Sequence, residues 1–341
     1  MQDEVRFAAF SANLRAAEAH NARPGVAFSR GINKFSDLTF DQFKATVLMV
    51  ERSTAELPRL LAGAPRWEGP EEEEEEQESG PSRRLLRQRS PTATAVPAAF
   101  DWRQKGKVPA VRDQGGCGSC WAFAAVGAIE IRARIDGVAS SPDASEQQMV
   151  DCVTQAAGYW SMGCDGGYIH EPFQLASTLF ASSEASYPYL DQHGGVCRTP
   201  AGTSAPSGAL KMKAWPGYTV VAADPATIMK AVATTGPVVV LFDASDSFYA
   251  YAGGIFPAAE CRADAYNHAM IVVGYDATAG VGSPKSYWII KNSWGSDWGE
   301  AGYARVQMTT EGACAMYSSL LLPTATVNPI QKRCTGKKCG G

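Results

Sequence analysis

An apolar stretch runs from Cys120 to Ile135, and its few charged residues lie in its C-terminal half. Its first turns are apolar on every side, which predicts a helix buried in the interior rather than an amphipathic surface helix. Gly137 follows as a stop signal. A glycine-rich segment, 114–119, precedes the stretch, so we expect a tight loop that leads directly into the helix.

Helical patterns otherwise dominate the first half of the chain, and strand patterns dominate the second. Predicted helices cover 3–21, 145–152 with a capping box at its start, 171–180, and 224–236 with Asp224-Pro225 at its start. Predicted strands cover 238–242, 270–275, 287–290 and 303–308. This order predicts an α+β protein with a helical lobe, a β lobe and a cleft between them.

Two segments lack these patterns. Residues 51–95 contain an unbroken acidic run, 71–76, and an arginine cluster, 83–89, among Pro, Ser, Thr and Ala. Such a composition cannot bury enough apolar surface to become ordered, so we expect a disordered linker. The last segment, 324–341, is a basic tail that carries Cys334 and Cys339.

The composition narrows the function. The 341 residues are 45% hydrophobic, which is enough for a substantial core, and the net charge of −4 argues against nucleic acid as the main partner. The sequence contains no run of 18 apolar residues and no apolar segment after Met1, so it predicts neither a membrane partner nor a signal peptide.

Nine cysteines are an odd number, which in an oxidising compartment indicates one free thiol. From spacing alone, Cys117-x-x-Cys120 could be a redox pair, half of a zinc site or a nucleophile with a structural neighbour. A thiol in the first turn of a helix is near the positive end of the helix dipole. That position favours a thiolate, with a pKa lowered from about 8.5 towards about 3.5–7.5.

Three ordered motifs carry a family resemblance. Gln114-x-x-Cys117-Gly118-Ser119-Cys120-Trp121-Ala122-Phe123 resembles the active-site segment of the papain family of cysteine peptidases. Asn267-His268-Ala269-Met270 and Lys291-Asn292-Ser293-Trp294-Gly295 resemble the family's histidine and asparagine segments. The resemblance implies a papain-like fold with a helical lobe and a β-barrel-like lobe, and it covers nearly the whole chain.

The resemblance also implies a role for each residue of the active site. Cys120 would be the nucleophile, His268 its general base and acid, and Asn292 the residue that orients the imidazole. The Gln114 side chain and the Cys120 backbone N–H would form the oxyanion hole. Trp294 would cover the His268–Asn292 bond, and no metal or cofactor is implied.

Substrate binding and disulfides follow from the same resemblance. The residues expected to contact substrate are Gly166, Gly167, Tyr168, Ile169, Val240, Tyr266, Trp298 and Ser319. An apolar pocket without an acidic residue predicts an apolar side chain two residues before the scissile bond. The implied disulfides are Cys117–Cys164, Cys152–Cys197 and Cys261–Cys314, with Cys334 and Cys339 left as a possible pair in the tail.

The N-terminal region resembles a cathepsin L-type propeptide. Part of its helix motif is present (Arg6, Phe10, Asn13 and Asn21, with departures at Gln2 and Ala17), and Gly31-x-Asn33-x-Phe35-x-Asp37 is complete. We therefore expect an inhibitory propeptide over 1–50, a linker with the processing site over 51–95, a catalytic domain over 96–323 and the tail.

The predicted function is a monomeric cysteine endopeptidase made as a zymogen, acting on protein and peptide substrates in a lysosome, a vacuole or outside the cell. Its own propeptide would be its inhibitor. The alternatives are an exopeptidase of the same family, a papain-like binding protein without activity, and a redox protein. The last requires a Cys117–Cys120 disulfide, which mass mapping would reveal.

We predict that the full-length chain is latent and matures at acid pH by cleavage between about Pro81 and Val96. An exposed basic segment of low complexity is the kind of chain that proteases cut. N-terminal sequencing after incubation at acid pH checks this, and a full-length protein that is already fully active would contradict it.

Overall fold

A computed structural model of the chain describes residues 2–69, 96–193 and 195–329. The predicted processing region, apart from Val96 itself, and the Cys334–Cys339 pair lie outside these residues. The helices are α1 (Gln2–Asn21), α2 (Phe40–Thr46), α3 (Leu57–Leu60), α4 (Cys120–Ile135), α5 (Glu146–Cys152), α6 (Glu171–Thr178), α7 (Pro225–Thr234) and α8 (Asp246–Tyr249). The strands are β1 (Phe28–Arg30), β2 (Arg52–Ser53), β3 (Ala99–Asp101), β4 (Lys211–Met212), β5 (Tyr218–Val220), β6 (Val238–Phe242), β7 (Tyr251–Phe256), β8 (Ala265–Tyr266), β9 (His268–Asp276), β10 (Tyr287–Lys291), β11 (Tyr303–Gln307), β12 (Leu320–Pro323) and β13 (Thr326–Val327).

Helix α4 has the predicted bounds and is buried from Cys120 through Ile131. Helix α5 shows only half of the predicted capping box. The Ser145 hydroxyl accepts from the backbone N–H of Gln148 at 3.0 Å. The Gln148 side chain does not return to Ser145, because it contacts the Ser182 backbone and the Thr199 hydroxyl instead.

The main sheet forms the core of the β lobe. Its strand order is β1-β7-β11-β10-β9-β6-β12-β5, and β3 pairs with β9 in addition. Across the residues that the structure describes this sheet stays open, so the β lobe is not the closed barrel that a barrel-like lobe suggests. Strand β9 starts at His268, two residues before the predicted strand, and it therefore places this histidine at the end of the sheet.

Strand β6 contributes to two hydrophobic cores, because successive side chains of a strand point to opposite faces of the sheet. Val239 and Leu241 join the core around α4. Val238, Val240 and Phe242 join the core on the other face. The sheet thus separates the core of the β lobe from the core that it shares with the helical lobe.

The propeptide packs against the β lobe through the predicted motif. The Asn33 side chain donates to the carbonyl oxygen of Tyr249 at 2.9 Å. Asp37 forms an ion pair with Arg6 of α1, which fixes the helix to the motif. Strand β1 extends the main sheet by pairing with β7. These contacts give the motif a physical role in docking the propeptide.

Residues 51–69 are ordered, which corrects the prediction of a disordered linker over this part of 51–95. Strand β2 pairs with β8, and Leu57 and Leu61 are buried in the core around α4. The linker prediction missed this because the residues that cover these leucines lie more than 100 positions further along the chain. No helix in the described part of the chain combines the length and hydropathy needed to cross a bilayer.

Candidate active site

The loop before α4 is fixed so that Cys120 is the first residue of the helix. The Cys117–Cys164 disulfide ties the loop to the chain beyond α5, and the Cys152–Cys197 and Cys261–Cys314 disulfides are also formed as expected. Gly118 has no room for a side chain, since a Cβ atom there would lie 2.3 Å from the carbonyl oxygen of Cys164. Cys120 is the free cysteine of the described residues and is fully buried.

The β lobe supplies a hydrogen-bonded imidazole. His268 at the start of β9 and Asn292 just after β10 are joined by a 2.8 Å hydrogen bond between Nε2 and Oδ1. The Oδ1 atom also accepts from the backbone N–H of Ser293, so Nε2 is the donor and carries the proton. The Nδ1 atom is buried without a partner among the described residues, which leaves its lone pair free to accept a proton.

Trp294 stacks on the imidazole of this pair. Its ring stacks on the His268 ring with a centroid distance of 4.5 Å and an angle of 30°. Both residues are fully buried. The indole therefore keeps water away from the His268–Asn292 bond, which strengthens the bond and fixes the orientation of the imidazole.

Burial decides the charge state of the reacting groups. It raises the pKa of the Cys120 thiol to about 12, although backbone N–H groups, including those of Ala269 and Met49, act in the opposite direction. Burial also lowers the pKa of His268 to about 4, and its bond to Asn292 opposes that shift. The predicted low thiol pKa is therefore wrong for this form of the protein, because desolvation outweighs the helix terminus.

The propeptide segment 47–50 lies against Cys120 and contributes to its burial. The backbone N–H of Met49 donates to the carbonyl oxygen of Asn267 at 2.9 Å, and that of Val50 donates to the carbonyl oxygen of Asp165 at 3.2 Å. These two acceptors come from the two lobes, so the segment bridges the cleft between them.

Gln114 binds a carbonyl oxygen of the same segment. Its Nε2 group donates to the Val47 carbonyl oxygen at 2.8 Å and to the Cys117 carbonyl oxygen at 2.9 Å. The Ser293 hydroxyl donates to Gln114 Oε1 at 2.7 Å, which orients the amide. The predicted oxyanion donor thus faces a propeptide carbonyl. Ser293 was given no role in the sequence analysis, although it lies within the asparagine motif between Asn292 and Trp294.

An apolar pocket lies beside this segment. Five residues predicted to contact substrate line it: Gly167, Tyr168, Ile169, Tyr266 and Ser319. The rest of the lining is His170, Leu241 and three leucines of the propeptide, Leu57, Leu60 and Leu61. The prediction of Val240 is wrong by one position. Strand alternation turns Val240 into the opposite core and presents Leu241 to the pocket.

Two further residues that were predicted to contact substrate, Gly166 and Trp298, are closely packed against other residues of the chain. Gly166 has a φ of +117°, and a Cβ atom there would lie 3.0 Å from the Met49 side chain. Trp298 does not line the pocket. It is fully buried, donates its indole N–H to the Tyr249 carbonyl oxygen at 3.1 Å and contacts Trp294 edge-on at 5.0 Å.

A buried charge cluster supports the loop that carries Gln114. The Arg112 guanidinium donates to Glu130 of α4 at 2.7 Å and to Glu146 of α5 at 2.6 Å, and it also contacts Asp143. Burial raises the pKa of Glu130 and Glu146, while the Arg112 charge lowers it. Because Arg112 binds both helices, it holds the loop against the helical lobe.

Comparison with known proteins agrees with this geometry. Residues 96–324 match the family model of the papain family cysteine proteases, and residues 1–43 match that of the cathepsin propeptide inhibitor domain. The chain belongs to the papain family. Its catalytic domain is a cysteine peptidase domain, and its N-terminal region is a propeptide of the cathepsin type.

Individual relatives of this family are similar along most of their length. The cathepsin L-like proteinase of Phaedon cochleariae is 33% identical over 92% of this chain and 85% of the relative. That of Fasciola hepatica is 32% identical over 94% and 87%. Among solved structures, the digestive procathepsin L2 proteinase of Tenebrio molitor has a TM-score of 0.74 at 32% identity, covering 94% of this chain and 93% of its own. The chain is therefore a cathepsin L-like zymogen.

Removal of the propeptide should activate the thiol. We expect the full-length chain to react slowly with iodoacetamide up to pH 8, because a raised pKa keeps Cys120 protonated at every pH below it. The mature form should react faster and at lower pH, because water can then reach the site. Alkylation rates measured from pH 4 to 8 check this.

The matched control is Cys120→Ala, which reports any labelling of Cys334 and Cys339. Equal rates for the full-length and mature forms after subtraction of that background would contradict the role of burial.

Proposed function

We propose that the chain is the zymogen of an endopeptidase that hydrolyses peptide bonds in proteins through Cys120, His268 and Asn292. The observation that carries this proposal is the hydrogen bond from His268 Nε2 to Asn292 Oδ1, which leaves a free lone pair on Nδ1. A neutral imidazole held in this tautomer can accept a proton from a neighbouring thiol. A redox protein would instead need a Cys117–Cys120 disulfide, whereas Cys117 is bonded to Cys164 and Cys120 is free.

The reaction needs the same nitrogen to take up and return a proton twice, once in acylation and once in deacylation. His268 Nδ1 takes the proton of the Cys120 thiol, and the sulfur attacks the substrate carbonyl carbon. The carbonyl oxygen becomes an oxyanion, which the Gln114 side chain and the Cys120 backbone N–H stabilise. The C–N bond then breaks, the leaving amine takes the proton from Nδ1, and a thioester to Cys120 remains. Water, deprotonated by His268, hydrolyses this acyl-enzyme and restores the thiol.

The propeptide inhibits this reaction by occupying the same groups. Val47 presents its carbonyl oxygen to Gln114, and Leu57 and Leu61 contribute to the apolar pocket. The propeptide therefore runs from the nucleophile towards the pocket. A substrate whose second residue before the scissile bond fills that pocket would run the other way. The opposite direction keeps the propeptide in the cleft without presenting a bond in the geometry needed for attack.

Acid pH would weaken this inhibition at one identifiable contact. Glu51 of the propeptide binds Arg262 at 2.6 Å, and Arg262 also binds Asp243 at 2.9 Å. The hydrogen bond to Arg262 lowers the pKa of Glu51 below its ordinary value of 4.5. The contact thus stabilises the bound propeptide above pH 4.5 and is lost as the pH falls through the lowered value. This pH dependence supports activation in an acidic compartment such as a lysosome or vacuole; the proposed enzyme acts there or after secretion, as a monomer.

Replacement of the nucleophile tests the mechanism. In processed enzyme, Cys120→Ala should lower kcat for a fluorogenic peptide by on the order of 10⁶, because no thioester can form. Asn292→Ala should cost less, because the reacting pair remains and only its orientation is lost. Near-UV circular dichroism and mass mapping of the three disulfides serve as controls for folding. Turnover by pure Cys120→Ala protein would refute the assignment.

The apolar pocket makes a prediction about specificity. Peptides with Leu two residues before the scissile bond should be cleaved with a kcat/KM about 10- to 150-fold above matched peptides with Arg there, since burial of a leucine contributes about 1.5–3 kcal/mol. Ser319 lies where an acidic partner for Arg would be needed. Equal turnover of Leu-Arg and Arg-Arg coumarin amides would show that the pocket is assigned wrongly.

A further inference from the structure

The propeptide places an arginine between two tyrosines at the pocket. Arg52 pairs in β2 with Tyr266 of β8, and its guanidinium carbon lies 4.2 Å from the centroid of the Tyr168 ring. Burial raises the pKa of the Tyr266 hydroxyl to about 12, and the nearby Arg52 charge acts to lower it. Tyr168 and Tyr266 both line the pocket, whereas Arg52 is not one of its lining residues, so the guanidinium contacts the Tyr168 ring beside the pocket rather than inside it.

The electrostatic surroundings favour a cation there. The Glu171 carboxylate accepts from the Trp160 backbone at 2.7 Å and from Ser161, and the Arg52 charge acts to lower its pKa although burial raises it. His170 adds no competing charge near neutral pH, because burial lowers its pKa to about 4. The cation is thus recognised by an aromatic face and a nearby buried carboxyl.

The contact has the character of stacking rather than of a fixed ion pair. The Arg52 Nη1 atom is buried without a hydrogen-bond partner in the described part of the chain. A planar, delocalised guanidinium tolerates this better than an ammonium does, because it stacks on aromatic faces and is weakly hydrated. When the propeptide leaves, the Tyr168 ring and the Tyr266 hydroxyl lose this partner and become free to bind another.

We propose that Tyr168, with Tyr266, selects substrates that carry an arginine at the third residue before the scissile bond. This inference rests on the proposed function, which assigns the pocket to an apolar substrate residue and makes Cys120 the nucleophile at the scissile bond. The pocket is lined mainly by apolar and aromatic side chains, and its polar members Ser319 and His170 are uncharged near neutral pH, so it takes the second residue. The third residue is the next one outward along an extended chain, and a long arginine side chain reaches from there back to the Tyr168 ring.

Peptides that differ only in charge test the proposal. The processed enzyme is titrated with an irreversible thiol inhibitor, and kcat/KM is measured for Arg-Leu-Arg and citrulline-Leu-Arg coumarin amides. Citrulline keeps the shape of arginine and removes its charge. The wild-type protein should favour the arginine peptide by about two- to five-fold, the range expected for a cation over an exposed aromatic ring.

Two variants separate the ring from the hydroxyl. Tyr168→Phe keeps the aromatic face and should keep a preference for arginine, whereas Tyr168→Leu removes the face and should reduce the ratio to about one. A wild-type ratio of one, or an unchanged ratio in Tyr168→Leu, would overturn the inference.

The outcomes also distinguish this inference from the proposed function. Cleavage of both peptides at equal rates would refute the selectivity alone. If the processed protein cleaves neither peptide, the proposed function fails. In that case fluorescence polarisation with dye-labelled Arg-Leu and citrulline-Leu peptides still decides whether Tyr168 prefers the cation, with equal binding as the result that overturns it.

Discussion

Exclusion of water from Cys120 is the constraint on which the chemistry of this zymogen depends. A helix terminus and several backbone N–H groups favour the thiolate, yet burial beneath the propeptide outweighs them and keeps the thiol protonated. The same burial keeps His268 neutral. The thiol and the imidazole are therefore both held uncharged in the zymogen, so the propeptide would act through their solvation as well as by blocking access. Removal of the propeptide would change the solvation of these groups and open the cleft at the same time.

The features that the sequence predicted well are those with local causes. Helix α4 was predicted with its exact bounds because a loop, an apolar run and a stop glycine follow one another in the chain. The active-site residues were assigned through motifs in which neighbouring positions carry the signal, such as Asn267-His268 and Asn292-Ser293-Trp294, and these assignments remain predictions. Their joint position then follows from the antiparallel pairing of β9 with β10.

The features that were missed depend on distant partners. Whether Val240 or Leu241 faces the pocket depends on which face of strand β6 each side chain occupies. Every residue of this strand is apolar and both of its faces are buried, so the sequence does not indicate which face is which. Residues 51–69 look like a linker, since their leucines are covered by pocket residues far along the chain. The thiol pKa could not be predicted from its helix either, because the segment around Met49 contributes to its burial.

The pairing of β1 with β7 has a consequence for the life of the enzyme after activation. Strand β1 is the outermost strand of the main sheet, so its departure turns β7 into an edge whose backbone N–H and C=O groups lack partners. That edge contains Gly253 and Gly254, and Gly254 has a φ of +95°, which interrupts the flat geometry needed to add another strand. Gly254, which lets β1 pack closely in the zymogen, thus makes the exposed edge a poor template for aggregation once β1 has gone.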